Sequence, residues 1–458
     1  MANNVLLVDI GSTYTKVVAV DLDYPKILGT ASAPTTAATN IREGLFEALK
    51  CLTEKTGTTS YAESYGSSSA AGGLKMVAIG LVPALTAKAG KMAALGAGAK
   101  VLKTFAYELA ASEVDEIQQL EPDIILLCGG TDGGNKEVIL RNAEHLAGLA
   151  GEFSVVVAGN KAAAKEAAEI LEASGKQVRL CENVMPQYNC LNVEPAQAAI
   201  RNLFLEKIVQ AKGLSEVQRF IGNPLLPTPR AVLQGAELLA RGTAHQAGLG
   251  DLLVVDVGGA TTDVYSMAEG APASGVVLRG LQEPYAKRTV EGDLGLSHSA
   301  RSTLEAVGRK KIAALTQLSE EEVEENLLLL EKEFSVSFSK EKEAVRNCLT
   351  YFAVKLATER HAGKIETIYT PCGPSFIQTG KDLTGIKTII GTGGPLIYSS
   401  DPASLLAAAR RSQEAALKPE GGSLYLDRSY IFAGMGLLSQ KYPEEALALL
   451  KGELEWLG

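Results

Sequence analysis

Two stretches of the chain repeat one pattern: an apolar run, a carboxylate, a turn of small residues and a β-branched run. In the first, Val5, Leu6, Leu7 and Val8 lead to Asp9, the chain turns through Gly11, Ser12 and Thr13, and apolar residues resume from Val17 to Val20. In the second, DLLVVDVGGATTDVYSM runs from Asp251 to Met267 with Asp256 in the place of Asp9. Each reads as a β-hairpin with a carboxylate at the mouth of its turn. Two related half-domains facing each other across a cleft would set both turns and both carboxylates around one ligand.

Between and beyond the hairpins the periodicity changes. Ile41, Leu45, Leu49 and Leu52 are spaced as on one face of a helix, whereas the Ser/Thr/Gly-rich stretch from Thr56 to Gly73 reads as a loop, either a flexible one or one that meets a ligand or partner. From Lys75 strands and helices alternate: strand patterns in KMVAIGLV, EPDIILLCGG, FSVVVAG and QVRLCEN are separated by helical ones at Thr86–Ala99, Lys136–Ala147 and Lys161–Ala173. Such a βα series predicts a doubly wound parallel sheet inserted between the acidic hairpins. A connection and long helix fill Pro186–Gly213, Gly222–Val232 is proline-dense and reads as extended, and a helix over Ala231–Arg241 leads into the second hairpin. Later come charged helical blocks at Ser319–Glu333 and Lys340–His361, then a third turn in KTIIGTGGPLI, where Gly391, Gly393 and Gly394 precede Pro395 at a plausible first helical position. The implied segments are 1–74, the first part of one lobe; 75–215, the inserted domain; and 216–458, the remainder with the second lobe.

Composition narrows the partners. A chain of 458 residues with 46% hydrophobic residues has room for two or more cores, and a net charge of −9 disfavours general binding to nucleic acid or anionic membranes. No apolar run reaches the ~18 residues of a membrane span and no signal-like segment opens the chain, so a cytoplasmic protein is expected. The six cysteines stand singly and the four histidines lack zinc spacing, which argues against a metal or redox centre built from them.

The chemistry follows from the turns. Phosphate oxygens need backbone N–H groups that only small-residue turns bring close enough. Gly11, Ser12 and Thr13, with Thr15 and Lys16 beyond them, form one candidate cradle; Gly258, Gly259, Thr261 and Thr262 form the other. Magnesium held through phosphates asks for only one or two carboxylates, a role that fits Asp9 and Asp256. A hydrolytic water would have Thr261, Thr262 or Asp263 near it, and Gly391, Gly393 and Gly394 would pack against adenine and ribose. No Walker A sequence occurs, and no G-x-G-x-x-G follows a strand. CGGTDGGN, Cys128–Asn135, stands where open parallel sheets bind ligands, with Asp132 facing the crevice, but its spacing matches no nucleotide fingerprint and favours a tight β-to-α turn.

The ordered set of three turns resembles the actin, sugar kinase and heat-shock-70 ATPase superfamily: DIGSTYTK its first phosphate motif, DVGGATTD its second, GTGGPLI its adenosine motif, and VEGDLGL and IFAGMGLL its connecting segments. Within it, these motifs together with GSSSAAGGLKMVAIGLV, CGGTDGGN and EGDLG resemble the glutamate mutase accessory proteins, the MutL or GlmL family, over most of the chain. The resemblance implies a two-lobed actin-like ATPase of two ribonuclease-H-like halves with an inserted doubly wound parallel-sheet domain. It implies ATP and Mg2+ as ligands, a catalytic set of Asp9, Asp256, Thr261 and Asp263, and a chaperone-like reactivating role toward subunits of an adenosylcobalamin-dependent mutase or aminomutase, with homo-oligomerisation left open. A small-molecule kinase and a nucleotide-dependent filament or scaffold protein are the alternatives. The cobalamin signature D-x-H-x-x-G is absent, since no histidine has Asp two residues before it.

Overall fold

A computed structural model describes residues 3–11, 13–36, 40–69, 75–208, 214–297, 299–332, 339–371, 373–412 and 415–458. They divide into two compact units, Met1–Gly235 with Ala433–Leu449, and Ala236–Phe432 with Leu450–Gly458.

In the first unit β1 (Asn4–Ile10), β2 (Tyr14–Asp21) and β3 (Lys26–Pro34) form an antiparallel meander. Helix α1 (Ile41–Thr56) crosses over with Ile41, Leu45, Ala48 and Leu52 buried, and β4 (Glu63–Ser68) returns parallel to β1. Asn40 caps α1 through the Arg42 N–H, and Gly57 ends it at φ 69°, a left-handed conformation that suits glycine. The βα series follows: β5 (Lys75–Gly80), α2 (Lys88–Gly96), β6 (Lys100–Ala106), α3 (Ala111–Leu120), β7 (Ile124–Leu127), α4 (Glu137–Ala147), β8 (Ser154–Val157), α5 (Lys161–Ala173) and β9 (Gln177–Leu180). These strands make an all-parallel sheet in the order β6-β5-β7-β8-β9. That is a doubly wound order, and its central strands are apolar because both faces are covered. After α6 (Glu194–Ile208) and α7 (Leu214–Ile221), the short β10 (Leu226–Pro227) joins β4, completing the order β10-β4-β1-β2-β3, and α8 (Thr228–Arg241) begins.

The second unit repeats the first sheet's design. β11 (Leu252–Val257) and β12 (Thr262–Met267) form the hairpin, β13 (Val276–Leu278) lies apart from it, and β14 (Ala286–Glu291) is its third antiparallel strand. Helices α9 (Ala300–Val307), α10 (Arg309–Thr316), α11 (Glu320–Lys332) and α12 (Lys340–His361) follow. β15 (Lys364–Thr370) and β16 (Gly373–Thr379) form a small sheet with β13. β17 (Thr388–Thr392) runs parallel to β11; then come α13 (Gly394–Ile397), α14 (Pro402–Leu406) and the parallel β18 (Ser423–Leu426). Helices α15 (Phe432–Leu438) and α16 (Pro443–Glu453) precede β19 (Glu455–Trp456). The order β14-β12-β11-β17-β18-β19 has the same three antiparallel strands, then the parallel β17 and β18, with β19 antiparallel at the edge. The architecture is therefore α/β with two ribonuclease-H-like halves of the actin kind and a doubly wound parallel sheet placed within the first. Val345, Leu349, Ala353 and Ala357 of α12 enter one core with Leu253, Val255, Val264 and Ile389 of the sheet. Among the described residues no helix is long and apolar enough to cross a membrane.

Three expectations are corrected here. Thr56–Gly73 is not simply a loop: residues 63–68 form a strand between β1 and β10, and 70–73, the end of GSSSAAGG, lie outside the described residues. A small residue is required there, because a Cβ on Gly66 would sit 2.5 Å from both Ile221 Cδ1 and Leu225 Cδ2. Within Gly222–Val232 only Leu226 and Pro227 are strand, and α8 starts at Thr228; Pro229 falls in its first turn, where a missing N–H costs nothing. The helix expected from Thr86 begins instead with a wider turn at Pro83–Ala87.

Candidate functional site

The β1–β2 register sets Asp9 opposite Lys16, so both side chains point to one face. Asp9 Oδ1 accepts hydrogen bonds from Ser67 Oγ at 2.9 Å and Thr228 Oγ1 at 2.6 Å. Its other oxygen, Oδ2, stands 3.9 Å from Lys16 Nζ. Two hydroxyls, one from β4 and one from the start of α8, thus fix one oxygen of the carboxylate and leave Oδ2 as the oxygen that can accept from elsewhere. Gly11 closes the turn by donating to Tyr14 O at 3.0 Å; a Cβ there would lie 2.7 Å from that same oxygen. Thr13 accepts from the Thr35 N–H, and Thr15 is fully buried with its hydroxyl 3.0 Å from Thr35 Oγ1. These two threonines hold the hairpin to β3. Ser12 lies outside the described residues.

The second unit carries the matching turn. Asp256 stands opposite Asp263 on β12 and Thr392 on β17. Gly258 closes the turn by donating to Thr261 O at 2.9 Å. Leu296 N–H donates to Gly258 O, Ser297 N–H to Gly259 O, and Ser299 Oγ to Ala260 O, so the segment after β14 takes up the carbonyls of the turn. Among the described residues the N–H groups of Gly259, Ala260 and Thr261 have no acceptor. Such a row of unengaged amides in a turn is an anion cradle. Thr262 is buried, and its hydroxyl donates to Leu294 O; it holds the connecting segment.

Asp263 is the most constrained of the candidates. One carboxylate oxygen takes Arg288 Nε at 2.7 Å and a second guanidinium nitrogen at 2.6 Å, and the other accepts Thr261 Oγ1 at 3.0 Å. Burial alone would lower the proton affinity of Arg288, but the Asp263 carboxylate and the Tyr265 hydroxyl outweigh it and keep the guanidinium charged. A carboxylate engaged in this way is a firm anchor for Thr261.

The third turn meets the second through Gly393. At φ 100° its Cα lies so close to β11 that a Cβ would sit 2.1 Å from Val257 O and 2.8 Å from Asp256 Oδ1. Gly394 and Pro395 open α13, as the sequence suggests. Gly391 differs: within β17, its missing side chain would point at Leu396 and Leu406 in the core. Sequence reading missed Ser67, Thr228, Arg288 and Asp427. The last is buried, and its carboxylate accepts from the N–H groups of Ile431 and Phe432 and from Thr392 Oγ1, tying the start of α15 to β17.

The turn CGGTDGGN is tied to the start of α5 and to the segment after β9. Asp132 Oδ1 accepts from Lys161 N–H and Asn183 Nδ2, both at 3.0 Å, and Asn160 spans Gly133, Gly134 and Asn135. Its polar groups are spent on the loop, in keeping with a tight turn. Among the described residues no three His, Cys, Asp or Glu side chains cluster as a metal cage. Asp9 in the first unit and Asp256 in the second each present a carboxylate, the hard oxygen type that suits magnesium.

The family model described as MutL protein matches residues 5–454. Protein MutL from Clostridium tetanomorphum is 47% identical over 452 residues, covering 97% of this chain and 98% of its own length. Solved structures give looser likenesses. Xylulose kinase from Bifidobacterium adolescentis is 13% identical with a TM-score of 0.34, over 100% of this chain and 96% of its own. A glycerol dehydratase reactivase is 11% identical with a TM-score of 0.34, over 95% and 99%. Since the family model spans nearly the whole chain and a relative shares almost half its residues, the chain belongs to the MutL protein family.

Proposed function

We propose that this protein binds and hydrolyses ATP with magnesium, and uses the cycle as an accessory and reactivating factor for an adenosylcobalamin-dependent mutase or aminomutase. The observation that carries the nucleotide part is the duplication: two sheets of one design, each ending its first strand on a carboxylate beside a small-residue turn. In this reading Asp9 and Asp256 hold the water shell of a magnesium ion, which would neutralise phosphate charge. The turns at Gly11–Thr13 and Gly258–Thr261 receive phosphate oxygens, and Lys16 adds a cation beside Asp9. Thr261, steadied by Asp263, orients the attacking water. Gly393 and Gly394 offer bare backbone to the nucleoside, while Gly391 serves the core.

The mutase part rests on the family and on the motif resemblance. Residues 75–215 form, in this proposal, an inserted module that contacts the client, and 1–74 with 216–458 the ATPase core. A conformational cycle of this kind converts nucleotide state into a change of surface. The test is ATP turnover by the purified protein with and without the subunits of an adenosylcobalamin-dependent mutase. Stimulation by the mutase supports the proposal. A phosphorylated small molecule would replace it with a kinase, nucleotide-dependent light scattering with a filament, and the absence of ATP binding would end it.

A further inference from the structure

The connecting segment behind the second turn holds a hydroxyl that the account so far leaves unused. Ser297 is only 8% exposed; its N–H donates to Gly259 O at 2.8 Å. Its Oγ, however, is buried and has no hydrogen-bond partner among the described residues. That oxygen lies directly against the turn, because a Cβ on Gly259 would come within 2.4 Å of it. Buried hydroxyls are as a rule hydrogen-bonded, so an orphan at such a place calls for a partner. The neighbouring Ser299 shows the ordinary case, its Oγ donating to Ala260 O at 2.8 Å and Gly292 O at 3.0 Å. The carbonyls of Gly258, Gly259 and Ala260 already accept from Leu296, Ser297 and Ser299, and Thr261 O from Gly258. What the turn has to spare is donors: the amides of Gly259, Ala260 and Thr261. A donor-only turn flanked by a free hydroxyl is complementary to an acceptor-only ligand, an oxyanion.

We infer that Ser297 is a phosphate-binding residue, its hydroxyl donating to an oxygen of the nucleotide polyphosphate held by the Gly258–Thr261 turn. This rests on the nucleotide reading and deepens it. It also gives the bound phosphate a mechanical link, since Thr303 Oγ1 donates to Gly295 O and Arg360 holds Asp293 through two hydrogen bonds of 2.7 and 2.9 Å, joining the Ser297 segment to α9 and α12.

The experiment compares Ser297→Ala with Ser299→Ala by calorimetric titration with Mg-ATP and by urea unfolding of the free protein. A hydrogen bond to a charged phosphate predicts that Ser297→Ala weakens Mg-ATP binding by about 10-fold or more. It leaves the urea midpoint of the free protein unchanged or higher, since it deletes an unsatisfied polar atom. Ser299→Ala should lower the midpoint and change the affinity less. Unchanged Mg-ATP affinity in Ser297→Ala, or an equal loss in both variants, overturns the inference while leaving the nucleotide reading intact. Failure of the unsubstituted protein to bind Mg-ATP overturns both.

Discussion

Gly393→Ala tests how tightly the third turn is built onto the second. A Cβ at this position would lie 2.1 Å from Val257 O, 2.7 Å from Val257 N and 2.8 Å from Asp256 Oδ1. Backbone atoms cannot swing aside as a side-chain tip can, so the end of β11 must move, by about 1 Å, a displacement that in a preorganised site costs on the order of 10²-fold. The conformation itself, φ 100° and ψ 144°, is nearly reserved for glycine and adds ~1–3 kcal/mol of strain. At about 2–4 °C per kcal/mol for a unit of this size, melting should fall by several degrees. Gly391→Ala is the matched control on the same strand. Its Cβ would meet the Leu396 and Leu406 tips at 3.0–3.3 Å, an overpacking cost of ~1–3 kcal/mol that leaves Asp256 in place. Calorimetric titration with Mg-ATP and thermal melts of both variants decide the matter. Similar losses of stability with a selective loss of nucleotide affinity in Gly393→Ala are expected; equal affinities in the two would refute the placement of Gly393 against the site.

Four further outcomes follow from the same geometry. Thr228→Val removes a donor to Asp9 Oδ1 and should weaken Mg-ATP binding by about 10-fold with little change in melting temperature, a loss typical of a hydrogen bond to a charged group; unchanged affinity would mean the contact does not position Asp9. Arg288→Met strands a buried carboxylate at Asp263 and should cost ~3–5 kcal/mol in urea unfolding, recovered in part by the double variant with Asp263→Asn. Burial, and then the neighbouring Lys287, push the Lys381 ammonium down from 10.5 to about 7. The unfolded chain therefore binds more protons between those values, and stability should rise with pH from about 7 to 10.5, by at most ~5 kcal/mol. Lys381→Met should flatten that rise in urea midpoints and stabilise the protein most below pH 7. His361, fully buried between Thr289 and Ser266, is held neutral chiefly by burial and then by Lys287; its folded proton affinity is depressed, so its contribution is complete above the ordinary histidine pKa and lost as pH falls below it. Replacing it by Gln should shift acid unfolding to lower pH.

The hairpins were legible in the sequence because apolar runs, a carboxylate and a small-residue turn coincide in sixteen or so adjacent positions, a local signal of the kind that strand patterns carry. The inserted parallel sheet was legible for the same reason: its strands are short continuous apolar runs bounded by turns. β4 was not, since ESYGSS offers no apolar rhythm; its burial comes from Ile221 and Leu225 closing over Gly66 from far along the chain. The residues that aim Asp9 were equally hidden. Ser67 and Thr228 are 58 and 219 positions away and look like ordinary turn and helix-start residues until the sheet is assembled. Asp263 could be read as a candidate base from its motif, but its commitment to Arg288 depends on the register of β12 with β14, which no local pattern announces.

The proposed function requires that both Asp9 and Asp256 serve magnesium-nucleotide binding. Calorimetric titration of Mg-ATP into the intact protein and into Asp9→Ala and Asp256→Ala, alongside ATP turnover, addresses it directly. A single bound nucleotide is expected, its magnesium-dependent affinity and turnover falling in both variants. Full affinity and turnover retained in both would contradict it.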